Sequence, residues 1–209
     1  MFTRFLIVIA ILTMVVSACV PAEGTDVFEV GIEPATEISS SQVVKDELQP
    51  IMEAVYSDTL EGTLALMQFV EISCANVEGL GGPPPCPEGV AEGTLLEVFP
   101  TLSSHGALVS REEFTNMLLN LQVKNLYAVY LEEPNPNAEP NYQPGEYAML
   151  FERELNDMPI PVVLQVKDGR IVRIDYHIGI SPEEMLKGIS VEKVLVSPQE
   201  AKAWTESVQ

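Results

Sequence analysis

From residue 42 onward the apolar positions follow first one spacing and then another. Val44, Leu48, Ile51 and Val55 recur three and four residues apart, which places them on one face of a helix, although Pro50 removes a backbone donor and predicts a kink or break within it. Asp58 and Glu61 stand at capping-box spacing ahead of Leu60, Leu64, Met67 and Val70, predicting a second helix. Residues 94–99 are a β-leaning run that Pro100 is expected to end. Ser110 and Glu113 repeat the capping spacing before Phe114, Met117, Leu118 and Leu121, a third amphipathic helix.

Beyond Lys124 the period drops to two. Residues 125–131, 146–153, 160–166 and 170–178 are β-branched or aromatic runs bounded by turn residues, so four consecutive strands are predicted. The last two flank Lys167-Asp168-Gly169. A two-residue Asp-Gly turn would mix polar and apolar side chains on both faces. A three-residue loop with Gly169 as a left-handed bulge residue instead gathers Ile160, Val162, Leu164 and Val166 with Val172, Ile174, Tyr176 and Ile178 on one clean apolar face, and that register is expected. The helices are the available cover for this face, so the fold class is α+β: three N-terminal helices packed on one face of a curved, mostly antiparallel sheet.

Helix, helix, strand, helix and then four strands ending in the hairpin from Lys167 to Ile174 resembles the cone-shaped nuclear transport factor 2-like, or cystatin-like, superfamily over residues 43–180. After it, Ser181-Pro182-Glu183-Glu184 and Ser197-Pro198-Gln199-Glu200 each predict a short helix with proline at its first position. The expected layout is a signal peptide at 1–18, a lipidated tether at 19–41, the cone-like domain at 42–180 and a C-terminal extension with short helices at 181–209. Trp204 would pin that extension to the domain or to a partner.

The tether and signal follow from the N-terminal pattern. Arg4 precedes an uncharged, mostly apolar run from Phe5 to Val16, too short for the ~20 residues of a spanning helix and suited to a signal peptide. The run ends in Val16-Ser17-Ala18-Cys19, which resembles the bacterial lipoprotein signal; the resemblance implies diacylglycerol on the Cys19 thiol and cleavage before it. Residues 20–41 contain five acids, Pro21, Pro34 and few apolar side chains, the composition of a tether with a reach on the order of 25 Å.

Composition narrows the partners. The 209 residues hold 11 Lys plus Arg and 31 Asp plus Glu, a formal charge of −20, which excludes nucleic-acid binding because no basic cluster exists to displace counterions. Loss of residues 1–18 removes Arg4 and no acid, so the mature body, at −21, is repelled by anionic headgroups and contacts the membrane through its lipid. With Cys19 lipidated, Cys74 and Cys86 remain as an even pair flanking a glycine- and proline-rich loop, and an extracytoplasmic disulfide is expected; their spacing is not that of a zinc site.

Candidate chemistry is sparse. Asp175 and His177, two apart on a strand, share a side and offer an orienting carboxylate and an imidazole base, as in cyclases and dehydratases of the resembled superfamily. The expected register puts them with Gln165 and Arg173 opposite the apolar face, so a solvated or interfacial salt-bridge row is preferred to a catalytic dyad. His105, beside Gly106, is expected in an exposed loop. Glu132, Glu133, Asn135, Asn137, Glu139 and Asn141 form an oxygen-rich but proline-interrupted loop without calcium-site spacing. No cofactor or metal is implied. The reading is a lipid-tethered, extracytoplasmic, non-catalytic module that binds a small apolar ligand or an envelope protein; a small-molecule enzyme using Asp175 and His177 is the alternative, and self-association through the Arg173–Asp175 face, giving a homodimer, is a third.

Overall fold

The computed structural model describes residues 40–57, 59–76, 82–103, 105–118 and 123–209. The expected signal peptide, Cys19 and almost all of the expected tether lie outside these residues, as do Asp58 and Leu121. The described residues form one compact unit.

In chain order the elements are α1 (Ser40–Tyr56), α2 (Leu60–Leu66), β1 (Val70–Ser73), β2 (Leu95–Leu102), β3 (Gly106–Ser110), α3 (Arg111–Leu118), β4 (Leu126–Leu131), β5 (Tyr147–Phe151), β6 (Glu154–Leu155), β7 (Met158–Pro159), β8 (Val162–Lys167), β9 (Arg170–Tyr176), α4 (Pro182–Lys187), β10 (Val194–Val196) and α5 (Pro198–Val208). The class is α+β. Eight strands make one sheet in the order β1-β2-β9-β8-β5-β4-β10, with β3 paired to β2, while β6 and β7 form a separate hairpin. All neighbours are antiparallel except β2 and β9, which run parallel at Thr101–Ile174. None of the described helices is long and apolar enough to cross a membrane.

Several boundaries depart from the sequence pattern. Helix α1 runs through Pro50 without interruption. Pro50 and Asp46, whose carbonyl loses its helical donor, are both exposed, so water can take the vacated position. The second helix stops at Leu66 instead of continuing to Val70. Gln68 N–H donates to Ile171 O at 2.9 Å and the Phe69 ring packs edge-on against Phe99 and Phe114, which draws the chain into the sheet as β1. Strand β2 does not end at Pro100. Val98 pairs with both Val70 and Ser110, and Thr101 with both Ala107 and Ile174, so β1 and β9 share the edge opposite β3. Pro100 sits at the changeover between β1 and β9, where a missing donor is tolerated.

The β8–β9 hairpin combines the two closures weighed from sequence. Asp168 and Gly169 have φ of 50° and 68° and form a two-residue turn closed by the Lys167–Arg170 pair. A bulge then shifts the register, so that Val166 faces Ile171 while Gln165 faces Arg173, Leu164 faces Ile174 and Val162 faces Tyr176. The apolar face is thereby recovered with Ile171 in the place expected for Val172. Val172 is half-buried, and Ile178, expected on the same face, lies beyond β9 and is exposed.

That face joins Val44, Leu48, Ile51 and Met52 of α1, Phe114 of α3, and Ala201 and Trp204 of α5 in the main core. At ~25 cal/mol per Å2 these side chains supply most of the folding drive. The C-terminal residues are thus integral to the unit. Trp204 Nε1 donates to Gln49 Oε1 at 2.7 Å, and Thr205 Oγ1 and Tyr56 Oη both accept from Leu126 N–H. Capping boxes at Ser110–Glu113, Ser181–Glu184 and Ser197–Glu200 start α3, α4 and α5 as their spacing predicts. The opposite sheet face is covered too: Tyr130, Ala148, Leu150 and Val163 pack against Met185, Leu186 and Ile189.

Candidate functional site

Strand alternation sends Gln165, Arg173 and Asp175 to this second face, with Gln165 and Arg173 directly paired across β8 and β9. The expected solvated or interfacial row is instead buried, with exposures of 1%, 7% and 4% respectively. The reason is the chain between β4 and β5, which folds over the row. The Arg173 fork grips Asp175, Nε to Oδ1 at 2.6 Å and Nη2 to Oδ2 at 2.8 Å, and Arg173 Nη1 donates to the Tyr142 carbonyl. Gln165 Nε2 donates to Asp175 Oδ2 at 3.0 Å and Glu132 Oε1 at 3.2 Å, while its Oε1 accepts from Gly145 N–H at 3.0 Å. A buried ion pair survives only with such dense satisfaction of both partners. Gly145 is required for it, since a Cβ there would collide with the Val166 backbone. Burial pushes the neighbouring Tyr130 hydroxyl well above its usual range, and the Glu132 and Asp175 carboxylates push the same way.

Arg173 is the floor of a cleft of about 490 Å3 whose walls include His105, Gly106, Glu132, Glu139 and Tyr142. Glu133 and Asn135 also line it, so four of the six residues in the oxygen-rich loop face one concavity. His105 is exposed, as expected, but belongs to the same wall. Arg173 has five N–H donors and spends three on Asp175 and Tyr142, which leaves two without a protein acceptor among the described residues. The Tyr142 ring lies on Gly106, where a Cβ would come within 2.6 Å of a ring carbon, and its buried hydroxyl has no partner among the described residues. No group of three or more His, Cys, Asp or Glu among the described residues is arranged to hold a metal ion.

Both Asp175 oxygens are held by Arg173 and Gln165, while His177 lies past the end of β9, where its backbone N–H donates to Pro161 O at 3.1 Å. Among the described residues no hydrogen bond joins Asp175 to His177. Cys74 and Cys86, by contrast, meet at disulfide distance, with Cα atoms 4.9 Å apart. Cys19 is outside the described residues. Gln165, Gly106, Gly145 and Tyr142 were not singled out as site residues by sequence; the available signal was Gln165, a polar residue inside an otherwise apolar strand run. No protein-family model matches the chain, and no curated protein matches it either.

Proposed function

We propose that this chain is a lipid-anchored extracytoplasmic binding module, held to the membrane through Cys19 and carrying its ligand site in the cleft above Arg173. The observation that carries the site is a buried guanidinium that lines a concavity of small-molecule size and has two donors that no acceptor among the described residues takes. The ligand is polar. The apolar face expected to hold a greasy ligand is occupied by the fully buried side chains of Leu48, Met52, Phe99, Met149 and Phe151, whereas the cleft presents carboxylates, an imidazole and a guanidinium. The non-catalytic reading is preferred because both Asp175 oxygens are engaged by Arg173 and Gln165 and no hydrogen bond joins Asp175 to His177 among the described residues. Likeness to the nuclear transport factor 2-like superfamily, with the N-terminal helices on one face of a cone-like sheet, belongs to the same proposal; its support is the order of helices and strands and the β8–β9 hairpin. The anchor is supported by Val16-Ser17-Ala18-Cys19 after an apolar run too short to span.

One measurement tests both halves. Native mass spectrometry of the protein extracted from its own envelope should give a chain beginning at residue 19 with covalent acyl mass, absent in Cys19→Ser, plus a non-covalent small molecule that is reduced in Glu139→Gln. An unmodified Cys19 overturns the anchor. A wild-type protein that keeps no small molecule and is indistinguishable from Glu139→Gln overturns the cleft as the ligand site.

A further inference from the structure

We infer that the cleft selects a small ligand bearing a primary ammonium group flanked by hydroxyl oxygens, an inference that rests on the cleft being the ligand site. The charges on its walls set the first requirement. Arg173 is matched by Asp175, and Glu133 by Lys193 Nζ at 2.7 Å. Glu132 receives only the neutral Gln165 amide, and Glu139 has no cationic partner among the described residues, so two carboxylates facing the cleft are left without a counter-charge. A cation on the ligand supplies it, and the chain's charge of −20 raises the local concentration of cations around the site.

The donors set the second requirement. Arg173, more than nine-tenths buried, lines the floor and has two N–H groups that no acceptor among the described residues takes, and Tyr142 lines the wall beside Gly106 with its hydroxyl buried and unpartnered among the described residues. These groups call for oxygen acceptors. A bare metal ion would answer the carboxylates but not the donors. A simple carboxylate or phosphate would answer the donors but meet Glu132 and Glu139. An ammonium with neighbouring hydroxyl oxygens answers both, and the hydroxyl hydrogens can in turn be accepted by Glu139.

Glucosamine, glucose and N-acetylglucosamine isolate the ammonium at nearly constant shape. In NMR titrations of the full chain in non-ionic detergent at low salt, glucosamine should shift the amides of Gly106 and residues 132–139 saturably, at least about tenfold more tightly than glucose or N-acetylglucosamine. Glu139→Gln, an exposed substitution, should reduce that preference several-fold while leaving the thermal midpoint and the uninvolved amides unchanged. Equal saturation of the cleft by glucosamine and glucose, or a preference that Glu139→Gln leaves unchanged, overturns the ammonium selection and leaves the cleft as a ligand site. Absence of saturable shifts in the cleft with all three sugars overturns the inference entirely; a retained molecule in the mass measurement would then show that the site itself stands.

Discussion

At the scale of single residues, Arg173 and Asp175 show how a buried ion pair differs from a stabilising one. Desolvating two charges costs several kcal/mol each, and the mutual attraction repays this only with good geometry and further hydrogen bonds; Gln165 supplies one to Asp175, and the Tyr142 carbonyl takes one of the three donors that Arg173 has left. Removing one partner is therefore far worse than removing both. Asp175→Ala should lower the unfolding free energy by about 3–5 kcal/mol in urea titrations, because the guanidinium stays buried without a counter-charge. The double change Arg173→Met with Asp175→Leu should recover much of that loss while emptying the cleft floor of its donors. If the double variant is as unstable as Asp175→Ala, the pair contributes to the fold in its own right and its retention needs no ligand. If it recovers, the stability of this protein does not explain why a guanidinium occupies the floor.

At the scale of elements, caps and periods were legible where a single stretch of chain decides the outcome. The three serine–glutamate boxes are local, and each starts its helix. Glu200 carries an additional tie: its Oε2 accepts from Ser197 N–H at 2.9 Å and its Oε1 from Ser41 Oγ at 2.9 Å, which links the start of α5 to the start of α1. The hydrogen bonds from the Ser197 backbone and side chain, with that from Ser41, hold the Glu200 carboxyl below the usual carboxylate range. A depressed folded-state value means that this stability is fully present above the unfolded value, about 4.3, and is lost as pH falls through the folded one. Glu200→Gln should cost about 1 kcal/mol near neutrality, the worth of a cap, and should flatten the wild-type decline in stability below about pH 4. Identical pH profiles for the two proteins would remove the carboxylate from the account. What sequence did not disclose was decided between elements. Leu66 ends α2 because Gln68 finds Ile171 more than 100 residues away, and the bulge beside Val172 reconciles a two-residue turn with a clean apolar face. The burial of Gln165 and Arg173 was half visible: Tyr147-Ala148-Met149-Leu150-Phe151 is apolar without alternation, the mark of a strand covered on both sides, yet nothing local says that the chain around Tyr142 supplies the cover.

At the scale of the whole molecule, a formal charge of −20 over the 209 residues favours any constraint that limits the unfolded chain, and the Cys74–Cys86 pair is a covalent one. It closes the loop at the end of β1, where Cys74 N–H donates to Thr94 O, Gly93 N–H donates to Cys74 O and Ala75 bridges Pro85. Few side chains in that glycine- and proline-rich segment can bury apolar area of their own, so the cross-link replaces a core there. Loop-closure entropy for 13 residues corresponds to about 3 kcal/mol, and in a unit of this size that is a fall in Tm of about 6–12 °C. Cys74→Ser with Cys86→Ser should therefore show such a fall in a calorimetric scan. Limited proteolysis should meanwhile cut first between residues 75 and 93, before Trp204 fluorescence reports any loosening of α5 against α1. An unchanged Tm would mean that the backbone bonds to Thr94 and Gly93 hold the loop without the sulfurs. A Trp204 signal that moves together with the first cut would mean that the clasp supports the main core, more than 100 residues away in sequence, and the region would then be a structural keystone of the unit instead of a tied surface loop.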